Sequence, residues 1–261
     1  MLASLVKATT VQTKIARLTL NHGNKRNALS RALLEQLQTH LKRIETNDDI
    51  RVVIIDANGP VFSSGHDLNE LKTSQEQENT SLMEFCSSVM QTVVTLKKPV
   101  IAQVEGIATA AGCQLVASCD LAYASNKARF ATPGVDIGLF CSTPAVALGR
   151  CVHRKHAMSM LLTGDTISAK EAEKIGLINA VIDSDDTLDD EVLKIATKIA
   201  SKSPKAIEMG KPLFYKQLEM PLDAAYQLAS KTMVENMNHD EAKEGIDAFL
   251  TKRKPGWSTT D

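Results

Sequence analysis

The sequence has no Cys-x-x-Cys pair, and its cysteines number five, at Cys86, Cys113, Cys119, Cys141 and Cys151. An odd count without paired spacing argues against a disulfide framework or a zinc site and for reduced thiols in an intracellular compartment. Long apolar runs are also missing. None approaches the roughly 18 residues that a membrane span requires, so no membrane partner is expected. Charge of one sign is lacking, with 30 Lys and Arg against 31 Asp and Glu, a net charge of -1. That balance gives no overall footprint for nucleic acid or an acidic surface. Gly-x-Gly-x-x-Gly after a strand, the Walker A loop and the Gly-x-Ser-x-Gly elbow are all absent, which removes the usual support for nucleotide-dependent and serine-hydrolase chemistry. There is no low-complexity tract and no tandem repeat. His153 and His156 stand three apart in a basic segment and read as a solvated face, so no metal is expected.

What is present is an ordinary globular composition, 43% hydrophobic over 261 residues, long enough to bury a substantial core. The first 20 residues carry Lys7, Lys14 and Arg17 and no acid, a superficial likeness to a transit peptide. Yet Ile15–Leu20 has the pattern of a strand belonging to the fold. Ser30 is placed to cap a helix with Leu33, Leu37, Leu41 and Ile44 on one face. The β-branched run Val52–Asp56, bounded by Asn58-Gly59-Pro60, suits a buried strand. Leu82, Phe85, Val89, Val93 and Leu96 mark a second helix, and Pro99 opens a strand over Val100–Val104. This alternation predicts an α/β fold. Beyond about Thr143 the pattern turns helical, with segments at 168–175, 189–201, 204–218, 222–237 and 240–252.

One theme occurs twice. A buried strand runs into small residues, first Phe62-Ser63-Ser64-Gly65-His66, then Gly106-Ile107-Ala108-Thr109-Ala110-Ala111-Gly112-Cys113. Each run leads toward a helix, whose first amides lack intrahelical acceptors and suit something negative. Such clusters are also ordinary tight turns, and pattern alone leaves both readings open.

Five stretches taken together resemble the crotonase (enoyl-CoA hydratase/isomerase) family. They are Lys25–Leu29, Val61–Leu68, Pro99–Gly106 continuing to Ala111–Leu115, Ala117–Leu121 with Phe130–Pro133, and Thr163-Gly164 through Ala169, Glu171, Ala172, Gly176 and Leu177. The likeness spans nearly the whole chain, in family order. It implies a spiral of β-β-α units with a helical C-terminal extension, here a core over 1–200 and a helical region over 201–261. It implies homotrimers or hexamers built as dimers of trimers. It implies a coenzyme A thioester as substrate or ligand, with no prosthetic cofactor, in lyase or isomerase chemistry of fatty acid metabolism. The cytoplasm is the expected location, with the mitochondrial matrix as alternative.

Carried over by position, the thioester oxygen would sit between the backbone N–H groups of His66 and Ala111. The coenzyme would meet Lys25, Arg26, Ala28, Ser64, Gly65, Asp67 and Leu68. The family often has glycine where this chain has Ala110 and Ala111, and an alanine serves as donor where φ is negative. Lys25-Arg26 also reads as a solvated turn, and Asp67 as a helix-capping acid.

The acid–base positions depart from the family. Hydratases place one glutamate after the second loop and another after Phe-x-x-Pro; here those places hold Gln114 and Gly134. An amide cannot take up a proton at neutral pH, and glycine has no side chain. An aspartate used by some isomerases aligns with Ser142, which has no carboxylate either. Asp136 remains as a displaced acid or base, or as a structural residue. Three functions therefore stay open. The first is an acyl-CoA enzyme that stabilises a thioester enolate with atypical groups. The second is a thioester hydrolase using Cys141, Ser142 or water activated by Asp136. The third is an acyl-CoA binder or regulator without chemistry.

Overall fold

In the computed structural model, residues 4–183 and 185–258 are described, the side chains of Asp185, Asp186 and Ser258 apart. The elements follow in chain order as β1 (Val6–Gln12), β2 (Ile15–Leu20), α1 (Arg31–Glu45), β3 (Val52–Ala57), β4 (Val61–Ser63), α2 (Leu68–Thr73), α3 (Glu76–Thr95), β5 (Val100–Val104), β6 (Ile107–Thr109), α4 (Ala111–Ser118), β7 (Leu121–Ser125) and β8 (Arg129–Ala131). After a 3-10 turn over Pro133–Ile137 come α5 (Ser142–Cys151), α6 (Arg154–Thr163), β9 (Ile167–Ser168), α7 (Ala169–Lys174), β10 (Ala180–Ile182), α8 (Asp185–Ala200), α9 (Pro204–Gln217), α10 (Leu222–Met237) and α11 (Asp240–Leu250).

The strands form two sheets, in the orders β1-β2-β3-β5-β7-β10 and β4-β6-β8-β9. Three times the chain lays one strand in the larger sheet and the next in the smaller, as β3 then β4, β5 then β6, and β7 then β8. This is the expected β-β-α spiral. All neighbours are parallel except β1 with β2 and β8 with β9. Parallel strands need cover on both faces. Val53, Ile55, Val100 and Ala102 face α1 and α3 on one side, while Val52, Ile54 and Ile101 face Leu188, Val192 and Ala196 of α8 on the other. Arg17 ties that second layer down, pairing with Asp56 at 2.9 Å and with Asp189 on α8.

Ser30 caps α1 by accepting from the Leu33 amide, as expected. Two helix ends move by more than one residue. α8 begins at Asp185 rather than Asp189, so that the turn carrying Leu188 joins the buried stripe. α11 stops at Leu250 rather than Lys252, because Lys252 takes a left-handed φ of 56° and breaks the helical run.

α9 is anchored through a buried cluster. Lys211 Nζ donates to Asp120 at 2.6 Å and to the carbonyls of Val93 at 3.1 Å and Lys98 at 3.0 Å, while the Tyr215 hydroxyl donates to Asp120 at 2.9 Å. The remaining C-terminal surface is apolar and open, with Leu222, Tyr226 and Met233 of α10 and Phe249 and Leu250 of α11 all exposed.

Candidate functional site

Because β4 and β6 are parallel neighbours, Val61 opposite Ile107 and Ser63 opposite Ala108, the turns that follow them emerge side by side. A strap over residues 25–29 holds the first turn. Asn27 is fully buried with φ 49°; its Oδ1 accepts from the His22 amide at 2.7 Å, and its Nδ2 donates to the carbonyls of Asn58 at 2.9 Å and Val61 at 2.8 Å. The Ser63 hydroxyl donates to the Asn27 carbonyl at 2.8 Å, and the Ser64 amide donates to Arg26 O at 3.0 Å. The Leu29 amide donates to Gly65 O at 2.7 Å.

That last bond sets the direction of the next peptide. In a trans peptide the C=O and the following N–H point opposite ways, so the His66 N–H faces away from the strap. The second turn is held by a bond from the Ala110 amide to Ala131 O at 3.0 Å, and Ala110 O accepts from the Gln114 amide at 3.0 Å as α4 begins. By the same reasoning the Ala111 N–H points out of the helix start. Neither amide has an acceptor among the described residues, as the opening turn of a helix dictates for Ala111. Gly65 packs directly on this second turn. With φ 86°, a Cβ added to it would lie 2.8 Å from Ala110 Cβ and 3.2 Å from the Ala111 nitrogen. Glycine is therefore required there by both conformation and space.

The alanines differ from each other. Ala111 is helical, but Ala110 has φ 49° and ψ -120°, a conformation that suits glycine and strains alanine. The expectation of negative φ holds for Ala111 and fails for Ala110, because the chain must reverse sharply between β6 and α4.

Of the residues expected to meet a coenzyme, Lys25 and Arg26 are exposed on the strap, and neither is paired with an acid among the described residues. Ala28 and Gly65 are buried, Ser64 and Asp67 half-buried, and Leu68 exposed. Asp67 caps α2, accepting from the Asn69 amide at 2.9 Å.

Gln114 is only 4% exposed, and its Oε1 has no partner among the described residues. Gly134 is buried under the following loop. A Cβ there would lie 2.6 Å from Leu139 O and 2.8 Å from Cys141 Sγ, so the loop fills the space that a side chain would take. Burial pushes the Cys141 thiol up, with the Gly134 amide opposing, which keeps the sulfur a protonated and poor nucleophile. Ser142 opens α5, its hydroxyl donating to Phe140 O at 3.2 Å. Asp136 is exposed, with both carboxylate oxygens against Gly164 at the end of α6.

Two residues carry more than their sequence signal. Asn27 was legible only as one letter of a motif, yet it fastens the strap. Thr132 is fully buried with an unpartnered Oγ1, one residue past the Ala131 carbonyl that binds Ala110. A cavity of about 540 Å³ lies elsewhere, over Asp120, Lys211 and Phe214 between α8 and α9. The two turns meet in close contact where Gly65 packs on Ala110 and Ala111.

A sequence model of the enoyl-CoA hydratase/isomerase family matches residues 10–260. The rat mitochondrial enoyl-CoA hydratase domain-containing protein 3 is 50% identical over 96% of this chain and 84% of that protein. The crystal structure of its human counterpart superposes with a TM-score of 0.93 at 49% identity, covering 97% of this chain and all of that one. An enoyl-CoA hydratase structure from Mycobacterium smegmatis reaches 0.95 at 44% identity, covering 98% and 99%.

Proposed function

Since the chain belongs to the enoyl-CoA hydratase/isomerase family, we propose that it binds an acyl-CoA thioester with the thioester oxygen between the amides of His66 and Ala111. The observation that carries this reading is the pair of N–H groups without acceptors, brought side by side by Gly65 packing on Ala110 and Ala111. Fixed donors of this kind stabilise the charge that an enolate develops on oxygen, and one donor is worth about 3–4 kcal/mol in such sites. Lys25 and Arg26 would meet the coenzyme phosphates, and Ala28, Ser64, Asp67 and Leu68 its remaining length.

Two-glutamate hydration is not part of the proposal. The Gln114 amide neither takes up nor gives up a proton near neutral pH, and the place beside Gly134 is occupied. Thioester hydrolysis is disfavoured by the protonated Cys141 thiol and the exposed Asp136, which leaves a binder without chemistry as the second reading. The exposed apolar rows of α10 and α11 support association between copies of the chain, and the homotrimer or dimer of trimers follows from the family likeness alone. Relatives named as mitochondrial support the matrix over the cytoplasm, and no helix among the described residues is long and apolar enough to cross a membrane.

The test is incubation of the purified protein with crotonyl-CoA. Saturable binding with hydration at least 100-fold below that of a two-glutamate relative is expected. Rapid hydration would overturn the assignment of Gln114 and Gly134, release of free coenzyme would favour hydrolysis, and no binding would sink the site.

A further inference from the structure

The side chain of His66 is held as firmly as its backbone. Leu29 fastens both, its amide donating to Gly65 O at 2.7 Å and its carbonyl accepting from His66 Nδ1 at 3.3 Å. A carbonyl only accepts, so Nδ1 carries the hydrogen and Nε2 carries a lone pair. The two ring nitrogens point to opposite edges of the imidazole. With Nδ1 turned toward the strap, Nε2 is turned away from it, as is the His66 N–H across the trans peptide. Nε2 is buried and has no partner among the described residues.

A buried polar atom without a partner is uncommon and calls for an explanation. A lone pair held in one tautomer by a carbonyl on the opposite nitrogen is the arrangement of an oriented base. The other groups at the site cannot do this work. Gln114 and Thr132, the two further unpartnered side chains one step from Ala110, are not basic.

We propose that the His66 imidazole is the general base of this site, removing a proton from C2 of an acyl group whose thioester oxygen rests on the His66 and Ala111 amides. This rests on the acyl-CoA reading above. In the forward step the C2–H bond breaks and its proton bonds to Nε2. The C–H electron pair becomes the C1=C2 bond, and the carbonyl π pair moves onto oxygen, facing the two N–H donors. Return of a proton from the imidazolium to C2 restores the thioester. No oxidant, water or second carboxylate is consumed, so the reaction suits α-proton exchange or double-bond migration rather than hydration. Burial holds the imidazole below its ordinary value, opposed only by the Leu29 carbonyl, with no charged side chain contributing. The base is therefore unprotonated at neutral pH.

The probe is butyryl-CoA, which has no double bond to hydrate, incubated with the full-length protein in D₂O. Calorimetry reads binding, and mass spectrometry reads deuterium at C2. Wild-type protein is expected to bind and exchange, with a rate that falls as pH drops below the ordinary imidazole value of about 6.5. His66→Asn keeps the backbone amide and an N–H for Leu29 O but has no base. It should bind within threefold of wild type and lose exchange by about 100-fold or more, the usual worth of a general base. His66→Gln serves as the second variant, and thermal melts confirm that both fold. Binding without exchange in the wild type, or full exchange in His66→Asn, overturns the base while leaving the acyl-CoA site standing. Loss of exchange in Asp136→Asn but not in His66→Asn moves the base to Asp136. Absence of butyryl-CoA binding in the wild type fails the site itself.

Discussion

At Gly134 the obstacle to hydratase chemistry is steric before it is chemical. Leu139 O and Cys141 Sγ stand 2.6 and 2.8 Å from where a Cβ would be, and over-packing of this kind costs about 1–3 kcal/mol. Gly134→Glu is expected to lower the melting temperature and to leave crotonyl-CoA hydration at its original level, even combined with Gln114→Glu. A recovered hydratase rate in the double variant would show that the loop yields. Ala110 offers the opposite case. Its φ of 49° and ψ of -120° strain an alanine, so Ala110→Gly should raise stability by about 1 kcal/mol in urea unfolding. A loss would mean that Ala110 Cβ, packed on Gly65, is worth more than the strain it carries.

Among the elements, the strap over 25–29 governs the first amide turn, and Asn27 governs the strap. Asn27→Ala strands the His22 amide and the carbonyls of Asn58 and Val61. Each stranded group costs about 1–3 kcal/mol when buried. A drop of about 3 kcal/mol is expected, with acyl-CoA affinity falling at least tenfold because the strap that carries the Leu29 amide, the partner of Gly65 O, loses its anchor. Unchanged affinity in a folded variant would separate the strap from the site. The strands and helices that build this frame were legible in the sequence, since burial imposes period: Ile15–Leu20 and Leu222–Met237 stand where the pattern puts them. The turns were legible only as small residues. Positive φ at Ala110 and Asn27 and the Leu29 bond to His66 arise where segments tens of residues apart meet, and the filled space at Gly134 comes from the irregular loop just after it; no local periodicity records them. The likeness to a family indicated where the amides lie; it gave no sign of the occupied glutamate place.

At the scale of the whole molecule, Lys211 and Tyr215 of the tail both bond to Asp120 of the core, and Glu219 of the tail pairs with Arg150. Phe249 is 83% exposed and Leu222 74%. Apolar surface on this scale is normally covered in solution. If copies of the chain cover it, folding and association are one equilibrium, and dilution acts as a denaturant by mass action. The melting temperature is then expected to rise by several degrees between submicromolar and tens of micromolar protein, with sedimentation showing a trimer or hexamer at the upper end. A constant melting temperature and a monomeric mass would mean that the tail stands by itself. On the expected outcome, stability becomes a property of abundance, and a cell holding little of this protein would hold a looser version of it.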